Sequence, residues 1–206
     1  MTIRYHKNDL PNLDAYKNAQ AVAVDTETLG LNPHRDRLCV VQLSSGDGSA
    51  DVVQIERGQT TAPNLKALFE DTKKPKIFHF ARFDVAVLKN YLGIEVRPVF
   101  CTKIASKLVR TYTDRHGLKD ICRELLSVDL SKQQQSSDWA AKKLSDAQLA
   151  YAASDVLHLH QLKERLEFML AREERTQLAQ ACFEFLPTRA ALDLSGWPET
   201  DIFAHS

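Results

Sequence analysis

Apolar residues in the first quarter of the chain fall in short runs broken by turn residues, the spacing of strands. Residues 20–56 divide into AVAVDTE, RLCVVQLSS and ADVVQIE, with turn signals at Asn32–Pro33 and at Gly46, Asp47 and Gly48. Links this short predict an antiparallel meander, because a parallel crossover needs about a dozen residues or more. Farther along, the period lengthens. Pro63 opens a predicted helix to about Glu70, a short strand covers Lys76–Phe80, and a helix from about Arg82 to Leu92 ends at Gly93. A strand at Val99–Cys101 precedes helices around Thr102–Arg110 and Leu118–Leu126. KQQQSSDW, residues 132–139, is polar and reads as a loop. Ser145 and Gln148 match a capping box. One long helix is expected after it, with an apolar stripe at Leu149, Ala152, Val156, Leu159 and Leu166. A last helix, about Arg175–Phe185, leads into a tail that begins at Leu186. Strands, then alternating helices and strands, then helices predict an α/β fold with a mixed central sheet flanked by helices.

The bulk properties narrow the setting. A chain of 206 residues suits one domain, with a core over about 20–170 and a C-terminal helix and tail over 171–206. Its 27 basic and 27 acidic residues cancel, which excludes a global field for gripping a long polyanion. One stretch departs from balance: Arg97, Lys103, Lys107, Arg110, Arg115 and Lys119 face only Asp114. That stretch reads first as a solvated face and, beside a phosphate-handling site, as a basic flank. Cys39, Cys101, Cys122 and Cys182 lie far apart without a CxxC pair, so neither a zinc site nor a disulfide framework is expected. MTIRYHKNDL lacks the apolar core of a leader, and no segment approaches a membrane span. The expectation is a soluble, cytoplasmic protein with reduced thiols.

Four acidic residues in three separate stretches change the picture. Asp25 and Glu27 lie in AVAVDTETLGL, Asp84 in FHFARFDVAVL and Asp155 in YAASDVLHLH, each in or beside an apolar run where an unpaired charge is costly. On a strand, Asp25 and Glu27 share one face roughly 6.6–6.8 Å apart, and Val22, Val24 and Thr26 take the other. Asp84 shares a helical face with Val87, Leu88 and Tyr91, so it points where core residues point. Taken alone, it is explained equally well as a first-turn acid favoured by the helix dipole. Tyr151 and Asp155 stand one helical turn apart on the same face. Carboxylates that converge at a core edge are suited to divalent cations and to phosphoryl-transfer chemistry on a nucleic acid.

DTET, HFARFDVAVL and YAASDVLHL, in that order, resemble the three motifs of the DEDDy 3′–5′ exonucleases, which have the ribonuclease H-like fold. The resemblance covers about residues 20–170 and is strongest to ribonuclease D. Ribonuclease D continues into helical HRDC domains, whereas this sequence stops at Ser206. The segments CTKIASKL, TYTDRHGLK and DIFAHS resemble the nanoRNase C group of ribonuclease D-like enzymes. The resemblance implies a 3′–5′ exoribonuclease that removes very short RNA, especially dinucleotides such as pGpG, from a ring-shaped homo-octamer. It implies two Mg²⁺ or Mn²⁺ ions held by Asp25, Glu27, Asp84 and Asp155, with Tyr151 orienting the attacking water. Products would be nucleoside 5′-monophosphates.

Further substrate contacts are expected at Leu29 and Leu31, placed to wedge against terminal bases or, equally, to anchor their loop. Arg82 is placed to reach a phosphate, and His79 reads first as a satisfied strand histidine. Gln135, Ser136 and Ser137 offer hydrogen bonds, while Trp139 reads first as a core anchor. His158 and His160 have no evident partner. The apolar tail residues Trp197, Ile202 and Phe203 either fold back or pack on a neighbour. The alternatives are a broader ribonuclease D-like exonuclease acting on longer RNA or DNA ends, an idle binding module, and an unrelated phosphohydrolase. All four acids being present argues against the idle module.

Overall fold

The computed structural model describes residues 2–131 and 133–205, so Lys132 of the polar loop lies outside the described residues. The three apolar runs form β2 (Val22–Thr28), β3 (Leu38–Ser44) and β4 (Ser49–Gln54), antiparallel to one another as the short links require. A strand that the sequence reading missed, β1 (Thr2–Lys7), adds in parallel to β4 at the sheet edge. Its alternation is disguised by the charged residues Arg4 and His6, both of which turn inward to the buried carboxylate of Asp51. On the other side of β2, strands β5 (Lys76–Phe78) and β6 (Val99–Cys101) continue in parallel. Among the described residues the sheet order is β1-β4-β3-β2-β5-β6, a mixed sheet with β2 at an inner position.

Helices cover both faces. They are α1 (Pro63–Glu70), α2 (Ala81–Leu92), α3 (Thr102–Val109), α4 (Leu118–Leu126), α5 (Asp146–Leu157), α6 (Leu159–Arg172) and α7 (Thr176–Leu194). Helix α2 ends at Gly93, whose φ of 62° is the left-handed conformation a glycine adopts without strain. Helix α5 packs on β2, β3 and β4, and its N-terminus carries the expected capping box. Gln148 N–H donates to Ser145 Oγ at 3.2 Å, and Ser145 N–H to Gln148 Oε1 at 2.9 Å.

Two helix boundaries differ from expectation. The single long helix is two, α5 and α6, divided at His158. The apolar stripe runs through the break, but the first part lies on the sheet and the second on α3 and α4, so the chain changes direction to follow its packing partners. The last helix continues to Leu194 rather than ending near Phe185. Pro187 removes one backbone donor, yet Leu186 and Ala190 are buried and Arg189 pairs with Asp193 across the next turn. Most of α7 therefore packs, chiefly against α2, and the tail folds back on it. Phe203 lies 6.0 Å from Phe185, although Trp197, Ile202 and Phe203 all remain exposed. None of the described helices is long and apolar enough to cross a membrane.

Candidate active site

The strand alternation at β2 sends neighbouring side chains into two helical layers. Asp25 and Glu27 face the layer that holds α5, where Tyr151 and Asp155 project, and Thr26 faces α2, where Asp84 projects. Carboxylate oxygens of Asp25, Glu27 and Asp155 come within 4.8 Å of one another. Asp84 stands beside them, only 3% exposed, and accepts a 2.6 Å hydrogen bond from Thr26 Oγ1. A register shift in the β2–β3 pairing between Glu27 and Thr28 turns the chain as it leaves the sheet. All four acids open into one cleft of about 580 Å³, also lined by Tyr151, Leu31, His79, Phe80, Lys103, Lys119, Gln135 and Ser136.

Among the described residues no Lys, Arg or His pairs with any of the four acids; their protein donors are neutral. The consequence is electrostatic. Burial pushes the Asp25 carboxyl well above its ordinary range, and the charges of Asp84, Asp155 and Glu27 add to it. Burial, then Asp155 and Asp84, raise Glu27 to about 9 against a weak opposing hydrogen bond from Gln42. Asp84 and Asp155 rise to about 7, burial being the main cause in each. Burial and the Asp155 charge hold the Tyr151 hydroxyl above its ordinary value, so it remains a phenol and a donor. Four crowded carboxylates without a cation are the donor set of a hard divalent ion: oxygen only, with strong like-charge repulsion for the ion to relieve.

The predicted substrate residues divide. Leu31 projects into the cleft mouth, 84% exposed, on a loop secured by Asp36. Asp36 accepts the Asn32 N–H at 2.9 Å, and a Cβ at Gly30 would meet its carboxylate at 2.3 Å, so a side chain there would have to displace Asp36. Leu29 is also exposed but lines a neighbouring groove with Arg35 and Arg57. His79 lines the cleft and bonds Thr102 Oγ1 through Nδ1 at 2.9 Å. Burial and the Lys103 charge lower its pKa to about 3, so it is neutral. Gln135 and Ser136 reach the cleft, whereas Ser137 is turned away to accept Gln148 Nε2 at 3.1 Å. Trp139 is a core anchor, buried beneath Tyr151 with ring centroids 6.0 Å apart.

Arg82 needs correction. Its guanidinium forks onto Asp193 of α7 at 2.6 and 2.7 Å and donates to the Pro198 carbonyl, so it ties the tail to α2 instead of lining the cleft. The basic flank is also smaller than expected. Lys103 and Lys119 reach the cleft, but Arg110 is fully buried and paired with Glu124. His160 has a partner after all, the Ala21 carbonyl at 3.2 Å.

Three contributors escaped sequence reasoning. Phe80 sits in the cleft wall with a left-handed φ of 73° and Lys103 Nζ 4.4 Å from its ring centre. Strained backbone of this kind clusters at functional sites. Thr26 and Gln42 supply the hydrogen bonds to Asp84 and Asp25. No local signal marks these three; their importance comes from cross-strand register and tertiary contact.

Comparison with known proteins agrees with this geometry. The family model described as a 3′–5′ exonuclease matches residues 11–171. NrnC of Brucella melitensis superimposes over the whole of both chains at 70% identity with a TM-score of 0.97. The same protein with bound Mg²⁺ (68%, 0.96) and bound to pGG (69%, 0.97) matches equally completely. A ribonuclease D of Jannaschia sp. is 35% identical over 159 residues, 75% of this chain and 41% of that protein. The chain thus spans about two-fifths of the curated relatives' length. Escherichia coli RNase D shares the fold, with a TM-score of 0.75 at 24% identity over 86% of this chain and 46% of that one.

Proposed function

We propose, from the premise that the chain belongs to the 3′–5′ exonuclease family, that it is a metal-dependent 3′–5′ exoribonuclease for very short RNA, dinucleotides above all. The observation that carries this reading is the open cleft in which four uncompensated carboxylates and one tyrosine converge. The full-length likeness to a protein whose structure holds pGG supports the dinucleotide as substrate. The described residues are read as one domain, since α7 packs against α2 and Arg82 binds the tail.

Asp25, Glu27, Asp84 and Asp155 fit a pair of Mg²⁺ or Mn²⁺ ions and would hold them. Such ions, when bound, make water a better nucleophile and stabilise the leaving oxygen. In the reaction a water oxygen bonds the terminal phosphorus, the P–O3′ bond breaks, and the 3′-oxygen takes up a proton. The protonated Tyr151 hydroxyl stands beside Asp155 to orient the attacking water. Leu31 meets the bases at the cleft mouth, Gln135 and Ser136 offer hydrogen bonds, and neutral His79 shapes the floor. Among the described residues, Lys103 and Lys119 are the lysines that line the cleft and are available to substrate phosphate. The exposed Phe185, Trp197, Ile202 and Phe203 support assembly of copies, consistent with an octameric ring. Four unpaired cysteines support a cytoplasmic setting.

RNA of two and of seven nucleotides, 5′-labelled and incubated side by side with Mg²⁺ or Mn²⁺, tests the assignment, with Asp155→Asn as control. Rapid hydrolysis of the dinucleotide with slow attack on the heptamer is expected. Fast stepwise shortening of the heptamer that stalls at two nucleotides would instead establish a broader ribonuclease D-like trimmer.

A further inference from the structure

Gln42 occupies the centre of β3, directly across from Asp25 in the β2–β3 register, and is wholly buried. Its Nε2 donates to Asp25 Oδ2 at 2.9 Å and makes a longer 3.5 Å contact with Glu27 Oε1. One amide group therefore spans the two acids of the strand. Among the described residues its Oε1 has no partner, although it is shielded from water. Its strand neighbours Val40, Val41 and Leu43 are apolar and buried, so packing alone calls for an aliphatic side chain at this position. A buried amide that leaves its acceptor unpaired costs stability, and such a group needs a reason to be there.

We propose that Gln42 is a positioning residue for the metal-binding carboxylates, bridging Asp25 and Glu27 so that their remaining oxygens face the ions together. The inference rests on the metal-dependent reading above and adds to it a residue that touches neither ion nor substrate. Neutrality is essential to the role. A lysine or arginine at this position would orient the acids equally well but would cancel the charge that draws a cation. An amide orients them and leaves that charge intact. Thr26 has the parallel relation to Asp84, through a neutral hydroxyl at 2.6 Å. Each bond occupies one oxygen of an acid and leaves the other for an ion, the usual arrangement behind a metal site.

The test is Mn²⁺ binding, followed by calorimetry and by electron paramagnetic resonance, in the wild type, Gln42→Met and Gln42→Asn. Methionine keeps the volume and removes the donor; asparagine keeps the donor but is too short to span both acids. Gln42→Met is expected to weaken Mn²⁺ binding by about 10–100-fold, as removal of such partners typically does. Its melting temperature in chelator should be unchanged or higher, and raising Mn²⁺ should recover its activity. Gln42→Asn should fall between the two, and it carries the test if the methionine variant does not fold. A folded Gln42→Met chain that binds Mn²⁺ like the wild type would overturn the inference alone. So would a loss of binding that only tracks the unfolded fraction. A wild type that binds no Mn²⁺ would overturn the metal reading with it.

Discussion

Asp51 on β4 and the four acids gathered around β2 are treated in opposite ways. Asp51 on β4 is 3% exposed and is fully answered. Arg4 forks onto it at 2.8 and 2.7 Å, His6 meets it at 2.8 Å and Tyr16 donates at 2.5 Å. Burial works against its charge, but the Arg4, Tyr16 and His6 hydrogen bonds prevail and its pKa is lowered. Around β2, Asp84 is buried too and Asp25, Glu27 and Asp155 are half-buried, yet among the described residues all four meet only neutral donors, and all four are pushed upward. The chain compensates one buried carboxylate this fully, while among the described residues four others meet no cation. The difference separates an acid that holds the fold together from acids that wait for an ion.

Exchanging charge for amide at the two places should have opposite results. Asp155→Asn or Asp25→Asn is expected to lower turnover by about 10³-fold or more, since it removes an ion ligand. The same change relieves repulsion, so the chelator-treated variant should melt at or above the wild-type temperature. Asp51→Asn should do the reverse. It strands Arg4 and Tyr16, costs on the order of 3 kcal/mol and lowers the melting temperature by roughly 6–12 °C. Its turnover per folded molecule should be unchanged. Tyr151→Phe is expected to lower kcat by about 10–100-fold with Mn²⁺ binding intact, because it removes only an orienting group.

The two regions should also respond to pH with opposite sign. Folded-state values raised to about 7 for Asp84 and Asp155 and about 9 for Glu27 mean that the native state holds these protons longer than the unfolded chain. Their stabilisation is complete below the ordinary carboxylate range and disappears as pH rises through 7 to 9. Asp51, being lowered, stabilises above that range and fails only in acid. Melting curves in chelator should therefore decline from about pH 5 to pH 9, and Mg²⁺ should reverse the decline. Asp25→Asn should flatten it. The smallest effect is expected at Arg82→Gln: a loss of about 1 kcal/mol from the α2–α7 connection and less than twofold in activity.

Sequence reasoning reached the acids because each announces itself locally. Periodicity places DTE on an apolar strand, Asp84 on a core-facing helical stripe and Tyr151–Asp155 at one-turn spacing, and the order of the three stretches, with its resemblance to the exonuclease motifs, joins them into one site. The meander and the capping box at Ser145 are local in the same sense. What escaped depends on partners far away in the chain. Arg82 looks free to reach a phosphate because its partner Asp193 lies 111 residues on. Gln42 is an unremarkable polar residue until the β2–β3 register sets it against Asp25. Strand β1 was hidden by Arg4 and His6, whose charges make sense only once Asp51 is seen beneath them. The last helix runs past its expected end near Phe185 because the burial of Leu186 and Ala190, which outweighs Pro187, is tertiary.

The most direct measurement is calorimetric titration of Mn²⁺ into chelator-stripped protein near pH 7, in two buffers of different ionisation enthalpy. Saturable binding to two ions per chain, with protons released because Glu27, Asp84 and Asp155 hold them in the free protein, is the predicted result. Asp25→Asn should lose most of that binding. Absence of saturable binding, or binding without proton release and equal in Asp25→Asn, would contradict the claim that these four acids are built for metal.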